Sequence, residues 1–411
     1  MRPNRVTVTR RCTTLRGFGI RGRRVAMASR YTAAVEREIV GMRTQYEDWV
    51  NTGELWSLRE LFSTPDCDIA EYCTEFRPSE FGPQACDDVE RYCRAQGIWL
   101  EPGGAHYNSM TPYLHPGPVS ARRLTVIGLF NAILFWLNDT VGREKYGHLS
   151  ESEQRKAHGE LERLCHLLET RKPPADPSPV EEATVVFLSQ VDELSDARWR
   201  DEFLASTVEH LRTAIRDQNA RARGDLLSVA EYIDLRAQVS GMYPAIALCE
   251  FGRDSYLAGD QLARMGLATD LRRLRVLTAE IGALMNDMFS FEKECIADRS
   301  DFNLVPVCLL NTPDSNLADA VRDAGTLVRD RVTEFRRRHD ALADRCREPG
   351  LADTELAAQL RVHLADLAGC VQASWVWQLI TTRYKGMSIF SENHPHPAGA
   401  RSMSNDGDHQ G

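Results

Sequence analysis

The stretch NDMFSFEKE, residues 286 to 294, set in the apolar run VLTAEIGALMNDMFSFEKE, constrains this chain more than any other. On a helix turning about 100° per residue, positions four apart share one face. Asn286, Ser290 and Glu294 therefore form one line of oxygen donors. Ile281, Leu284, Met285, Met288, Phe289 and Phe291 surround that line with apolar surface, so the oxygens are carried into an interior where they need a partner. An amide, a hydroxyl and a carboxylate together suit a hard cation such as magnesium. A single formal negative charge in that set calls for further anionic ligands from a substrate. Lys293, on the same side of the helical wheel as Asn286, would meet an anion held by the cation. The pattern reads as magnesium plus phosphate; a polar stripe on an exposed helix is the competing reading.

The segment resembles the second metal motif of class I terpene synthases, (N/D)Dxx(S/T)xxxE, at Asn286, Asp287, Ser290 and Glu294, with Lys293 at a position where that family often has lysine. The resemblance implies an all-α fold, a single helical bundle around a central apolar cavity. It further implies Mg2+, about three ions, and ionisation of a linear prenyl diphosphate followed by carbocation cyclisation and release of diphosphate. Geranylgeranyl and farnesyl diphosphate are the expected substrates, with a lean to the former from the closing segment described below. A homodimer is an assembly the class admits.

The 411 residues are enough to bury a sizeable core, and 43 % hydrophobic with 27 % charged residues is a soluble globular composition. A net charge of -9 argues against nucleic acid as a partner. No apolar run approaches the roughly 20 residues of a membrane span. Eleven cysteines without a CxxC pair predict reduced, packed thiols in a cytoplasmic protein.

Residues 1–28 hold many arginines and no acid, and are expected to be a disordered basic extension. Residues 29–388 are expected to form the helical domain, and 389–411 a disordered tail. Helical spacing runs from Tyr31 to the stop at Asn51-Thr52-Gly53, with short helices expected over 55–63, 67–77 and 86–97. The segment EPGGAHYNSMTPYLHPGPVS, from Glu101, reads as a linker that ends at Ser120, a helix cap. The helix after Ser120 is apolar through Phe135 and Trp136 and ends in Asn138 and Asp139, a polar end that should face a cavity. A helix over 314–344 reads as charged and solvated.

Asn138 and Asp139 stand where the family carries its first metal motif, DDxx(D/E), and the resemblance makes them metal ligands. The match departs from the pattern: Asn138 replaces the first Asp, and no acid follows at the usual position, Glu144 coming too late. Asp139 could instead pair with an Arg near the substrate. Arg236 is a lone cation among Tyr232, Ile233, Leu235, Val239 and Tyr243, costly to bury without an anion and shaped for a diphosphate. By resemblance it is the diphosphate sensor, with a structural salt bridge as the other reading. Ser240 and Gly241, reinforced by Pro244, supply the helix break that the family sets against the ionising carbon, although Val239 departs from its usual acid or Thr. In SWVWQLITTRYK, similar to the closing segment of bacterial diterpene cyclases, Arg383 and Tyr384 would grip diphosphate together with Arg236 and Lys293. Tyr384 joins Arg236, Ser240 and Gly241 as the expected catalytic set. Phe130, Phe135, Trp136, Phe289, Trp375 and Trp377 are the expected cavity wall, since aromatic faces attract carbocations without trapping them. A non-catalytic isoprenoid-binding protein is the alternative, as is a chain-elongating prenyltransferase, which would require two Asp-rich motifs.

Overall fold

Side-chain caps set where the helices begin. Ser120 accepts from the N–H of Arg123, Asp196 from those of Arg198 and Trp199, and Ser150 and Ser228 close reciprocal capping boxes with Glu153 and Glu231. Each such cap contributes about 1 kcal/mol. The computed structural model describes residues 20–101, 103–142, 146 and 149–395. Its longer helices are α1 Ile20–Thr52, α2 Gly82–Gln96, α3 Gly104–Leu114, α4 Ala121–Val141, α5 Glu151–Thr170, α6 Pro179–Leu194, α7 Ala197–Ala214, α8 Val229–Val239, α9 Met242–Arg253, α10 Ala268–Phe289, α11 Leu304–Asn311, α12 Leu317–Arg345 and α13 Glu355–Ile380. Among the described residues β pairing is limited to two isolated bridges, and no helix is long and apolar enough to cross a membrane.

Two apolar cores form. One surrounds α10, whose residues from Leu277 to Met285 are all buried and which packs against α8, α9, α12 and α13. The other joins α2, α4, α5, α6 and α7 around the rings of Phe130, Phe187, Phe203 and Trp199. Each Leu or Phe withdrawn from water in this way contributes about 1.5–3 kcal/mol.

Several expectations change. The linker from Glu101 contains α3, which tolerates Pro112 in its last turn and buries Tyr107, Asn108 and Thr111. Gly and Pro there mark the ends of a short helix, not a loop. The helix expected to be solvated, α12, buries Leu317, Val321, Val328, Val332 and Phe335 along one face; its many charges occupy the other. The first helix opens at Ile20, inside the expected extension, while residues 1–19 lie outside those described. At the other end, Ile389, Phe390 and Asn393 are fully buried, so the packed chain continues past 388 to at least 393. Residues 396–411, including His396, lie outside the described residues.

Candidate active site

The motif helix α10 does not run on through Glu294. It ends at Phe289 and passes into a π-helical turn, Glu292–Ala297. The N–H of Ser290 donates to the carbonyl of Asn286, and that of Glu294 to Ser290, both at 2.8 Å, so the expected line of three survives the change of helix type. Arg43 on α1 caps the turn, donating from Nε and Nη2 to the Cys295 carbonyl at 3.2 and 3.0 Å. A π turn exposes carbonyls that an α-helix would pair, and Arg43 satisfies one of them.

Within the line, Ser290 is buried and its hydroxyl has no hydrogen-bond partner. Glu294 Oε2 accepts from Asn303 Nδ2 at 3.2 Å. Asn286 Oδ1 accepts from Arg236 Nη2 at 3.0 Å, and its Nδ2 donates to Gln378 Oε1 at 3.2 Å and to the Tyr384 hydroxyl at 2.9 Å. A buried hydroxyl without a partner costs about 1–3 kcal/mol, which a ligand would offset. No group of three or more His, Cys, Asp or Glu able to hold a metal occurs among the described residues. A cation here would therefore need amide and hydroxyl oxygens beside the carboxylate of Glu294.

Arg236 is buried, and its Nε lies 2.7 Å from Asp287 Oδ1. Asp287, fully buried, also accepts from the Tyr232 hydroxyl and from the N–H of Leu304 at 3.2 Å. Burial opposes the Arg236 charge, but Asp287, Tyr232 and Glu294 outweigh it and push the guanidinium pKa up. The salt-bridge reading of Arg236 is thus realised, and the same side chain still lines the cavity.

At the end of α4, the Tyr107 hydroxyl donates to Asp139 Oδ2, Asn138 Nδ2 donates to Asp139 Oδ1 at 3.0 Å, and Arg383 donates to the Tyr107 hydroxyl, with its Nη1 3.8 Å from Asp139. The guanidinium lies 4.7 Å from the Tyr107 ring centre, and that ring stacks on Phe135 at 3.9 Å. Gly142 explains the missing acid. A Cβ there would sit 2.5 Å from Asn138 Cα, so no side chain fits where the third acid would stand. Glu144 lies outside the described residues.

Tyr107, Asn138, Arg236, Asn286, Glu294, Gln378, Arg383 and Tyr384 line a cavity of ≈ 180 Å³ where the two cores meet, and Asp139, Asp287 and Ser290 are not among its lining residues. Its walls include Leu134, Phe135, Asn138, Leu211, Ile215 and the α8–α9 break on one side, and Gly282, Asn286, Glu294, Trp377, Arg383 and Tyr384 on the other. The break falls at Ser240 and Gly241, whose φ of 81° is left-handed and favours glycine. Arg383 and Tyr384 lie beyond α13, in a 3-10 turn capped by Thr381.

Of the six expected wall aromatics only Phe135 and Trp377 line this space. Phe130 belongs to the second core, 5.1 Å from the Phe187 ring. Phe289 packs on Trp375, and Trp375 on Phe62. Trp136 lies against the second core. Lys293 ion-pairs with Asp298 at 3.6 Å and is not among the lining residues. Tyr107, Asp287 and Asn303, which the sequence reading gave no role, contribute directly to the cluster.

Fold and site together define a class I terpenoid cyclase architecture. Residues 129–334, half of the chain, match the family described as terpene synthase family 2, C-terminal metal binding, and the chain belongs to that family. It is an enzyme, a terpene cyclase, and the matched region is the family's metal-binding domain. Among solved structures it resembles wild-type cucumene synthase, with TM-score 0.59 and 18% identity over 74% of this chain and 98% of that one. It also resembles a-eudesmol synthase, with TM-score 0.60 and 18% identity over 74% and 96%. The linalool/nerolidol synthase from Streptomyces clavuligerus in complex with 2-fluorogeranyl diphosphate is similar to the same degree, with TM-score 0.59, 18% identity and 74% and 96% covered.

Proposed function

We propose that the chain binds a linear prenyl diphosphate, farnesyl or geranylgeranyl, with its diphosphate between Asn286, Arg236, Arg383 and Tyr384 and its hydrocarbon in the cavity, and converts it to a cyclic hydrocarbon or alcohol. The observation that carries this reading is the unpartnered Ser290 hydroxyl, buried between an amide and a carboxylate at helical spacing.

The donor set fits magnesium: Asn286, Ser290 and Glu294 would hold one ion, and Asp139 with Asn138 the others. Bound there, magnesium would neutralise the diphosphate and stabilise it as a leaving group. The chain's own residues do the rest. A diphosphate oxygen would compete with Asn286 Oδ1 for Arg236 Nη2, releasing that amide oxygen toward a cation, so that anion and cation binding are coupled through one hydrogen bond. Arg383 would likewise exchange Tyr107 for the anion and loosen Asp139. The allylic C–O bond then breaks with its electron pair on the diphosphate, leaving a cation beside the break at Ser240 and Gly241. Phe135 and Trp377, which line the cavity, offer it ring faces, at about 0.5–2 kcal/mol each. Incubation with magnesium and geranyl, farnesyl or geranylgeranyl diphosphate tests the reading: a cyclic product and released diphosphate are expected from farnesyl or geranylgeranyl diphosphate. Absence of release from all three would overturn it.

A further inference from the structure

Outside the cavity, between α7 and α9, lies an open groove of ≈ 840 Å³. Cavity and groove have one lining residue in common among the described residues, His210. His210 therefore stands at the boundary between the cavity and a groove that opens to solvent.

The helix break fixes how that ring is held. In an unbroken helix the carbonyl of Gln238 would accept from the N–H of Met242, but that N–H donates to Ser240 Oγ at 3.2 Å. The Gln238 carbonyl is satisfied by His210 Nδ1 at 2.9 Å instead. A carbonyl only accepts, so the Nδ1 atom carries the proton and Nε2 keeps a lone pair. Burial pushes the His210 pKa down, against the Gln238 bond, so the ring is neutral near pH 7. A neutral imidazole of fixed tautomer thus stands beside the same break where the cation forms. The groove beyond it is lined by Asp196, Glu202, Glu209 and Glu250 against Arg198 and Arg275, an excess of acid that favours departure of a positive charge.

We propose that His210 is the base that ends the reaction. The C–H bond next to the cationic carbon gives its electron pair to a new C=C bond, and the Nε2 lone pair takes the proton. The imidazolium, protonated at both nitrogens, then gives a proton to water of the groove, which restores the neutral ring. This rests on the reading that the cavity holds the prenyl chain. It adds a residue on α7, an element to which that reading assigns no chemistry.

The test measures two quantities on His210→Phe and His210→Asn with the prenyl diphosphate that wild type turns over: diphosphate released, and product composition by gas chromatography with mass spectrometry. Phe keeps the wall and removes the base; Asn keeps polarity at lower bulk and covers the case in which Phe fails to fold. Diphosphate release is expected to stay within about threefold of wild type, while the wild-type alkene falls at least about tenfold in favour of alcohols or other alkene isomers, the scale of a lost general base. An unchanged product composition with normal release overturns the base and leaves the prenyl-chain reading standing. Release that falls in step with product in both variants makes His210 a positioning residue and overturns the proposal. Absence of release by wild type sinks the prenyl-chain reading itself.

Discussion

Arg236 and Asp287 form a buried ion pair, Nε to Oδ1 at 2.7 Å, that ties the last turn of α8 to the motif helix α10. The acid at the second position of the motif is therefore a brace, and the neighbours Asn286 and Ser290 take their positions from it. Asp287 also holds the Leu304 N–H, fixing the start of α11, where Asn303 meets Glu294.

Asp287→Asn leaves the Arg236 charge buried without its counter-ion. It should destabilise the fold by about 3–5 kcal/mol, because breaking one side of a buried pair costs more than removing both. Denaturant unfolding checks this, and the double variant Arg236→Met, Asp287→Leu should lose less stability than Asp287→Asn while still losing activity.

Glu294→Gln removes the only carboxylate from the line of three yet keeps an oxygen for Asn303. Turnover should fall at least about a hundredfold, the scale of a lost electrostatic contact in a transition state, with unfolding nearly unchanged. Magnesium titration followed by calorimetry should show weakened binding. Wild-type turnover in this variant would remove Glu294 from the ligand set.

How much of this was legible in the sequence follows from the reach of each signal. Period 3.6 shows which residues share a face, so Asn286, Ser290 and Glu294 stood out, as did the break at Ser240 and Gly241. Asp287 lies about 100° round the same helix, and only α8 reveals that its partner is Arg236. Tyr107 was hidden in a Gly- and Pro-rich stretch that reads as a linker. Phe130, Trp136, Phe289 and Trp375 were expected in the cavity wall because an almost wholly apolar helix carries no mark of which side faces a cavity and which faces a core. Nothing in the local sequence singles out His210, since its role depends on a carbonyl freed by a break in another helix.

Asn138→Asp restores the acid the family usually has. It replaces the donor Nδ2, now 3.0 Å from Asp139 Oδ1, with a second carboxylate. Without metal the like charges should lower stability by about 1–3 kcal/mol, the cost of an unmade buried hydrogen bond. With metal the added charge should strengthen binding, so the magnesium concentration for half-maximal turnover should drop severalfold. Activity measured against magnesium checks the direction; a weaker requirement for Asn than for Asp would show that Asn138 does not face the ion.

Glu292 in the π turn binds the C-terminal segment, accepting from Ser388 Oγ at 2.6 Å and from the N–H of Ile389 at 3.0 Å. Burial pushes its carboxyl up to about 6, outweighing those donors. Because the folded value lies above the unfolded one, near 4.3, the contribution of this group to stability is fully present below pH of about 4.3 and is lost as pH rises through about 6. The loss amounts to about 2 kcal/mol at 1.36 kcal/mol per pKa unit. Other groups titrate over the same range, so the measurement is a difference: unfolding free energies of wild type and Glu292→Gln from about pH 4 to 8. The amide stays neutral while its oxygen can still accept from Ser388 and Ile389. The stability of Glu292→Gln relative to wild type should therefore rise with pH across this window, and a flat difference would show that Glu292 ionises in the fold as it does in the unfolded chain.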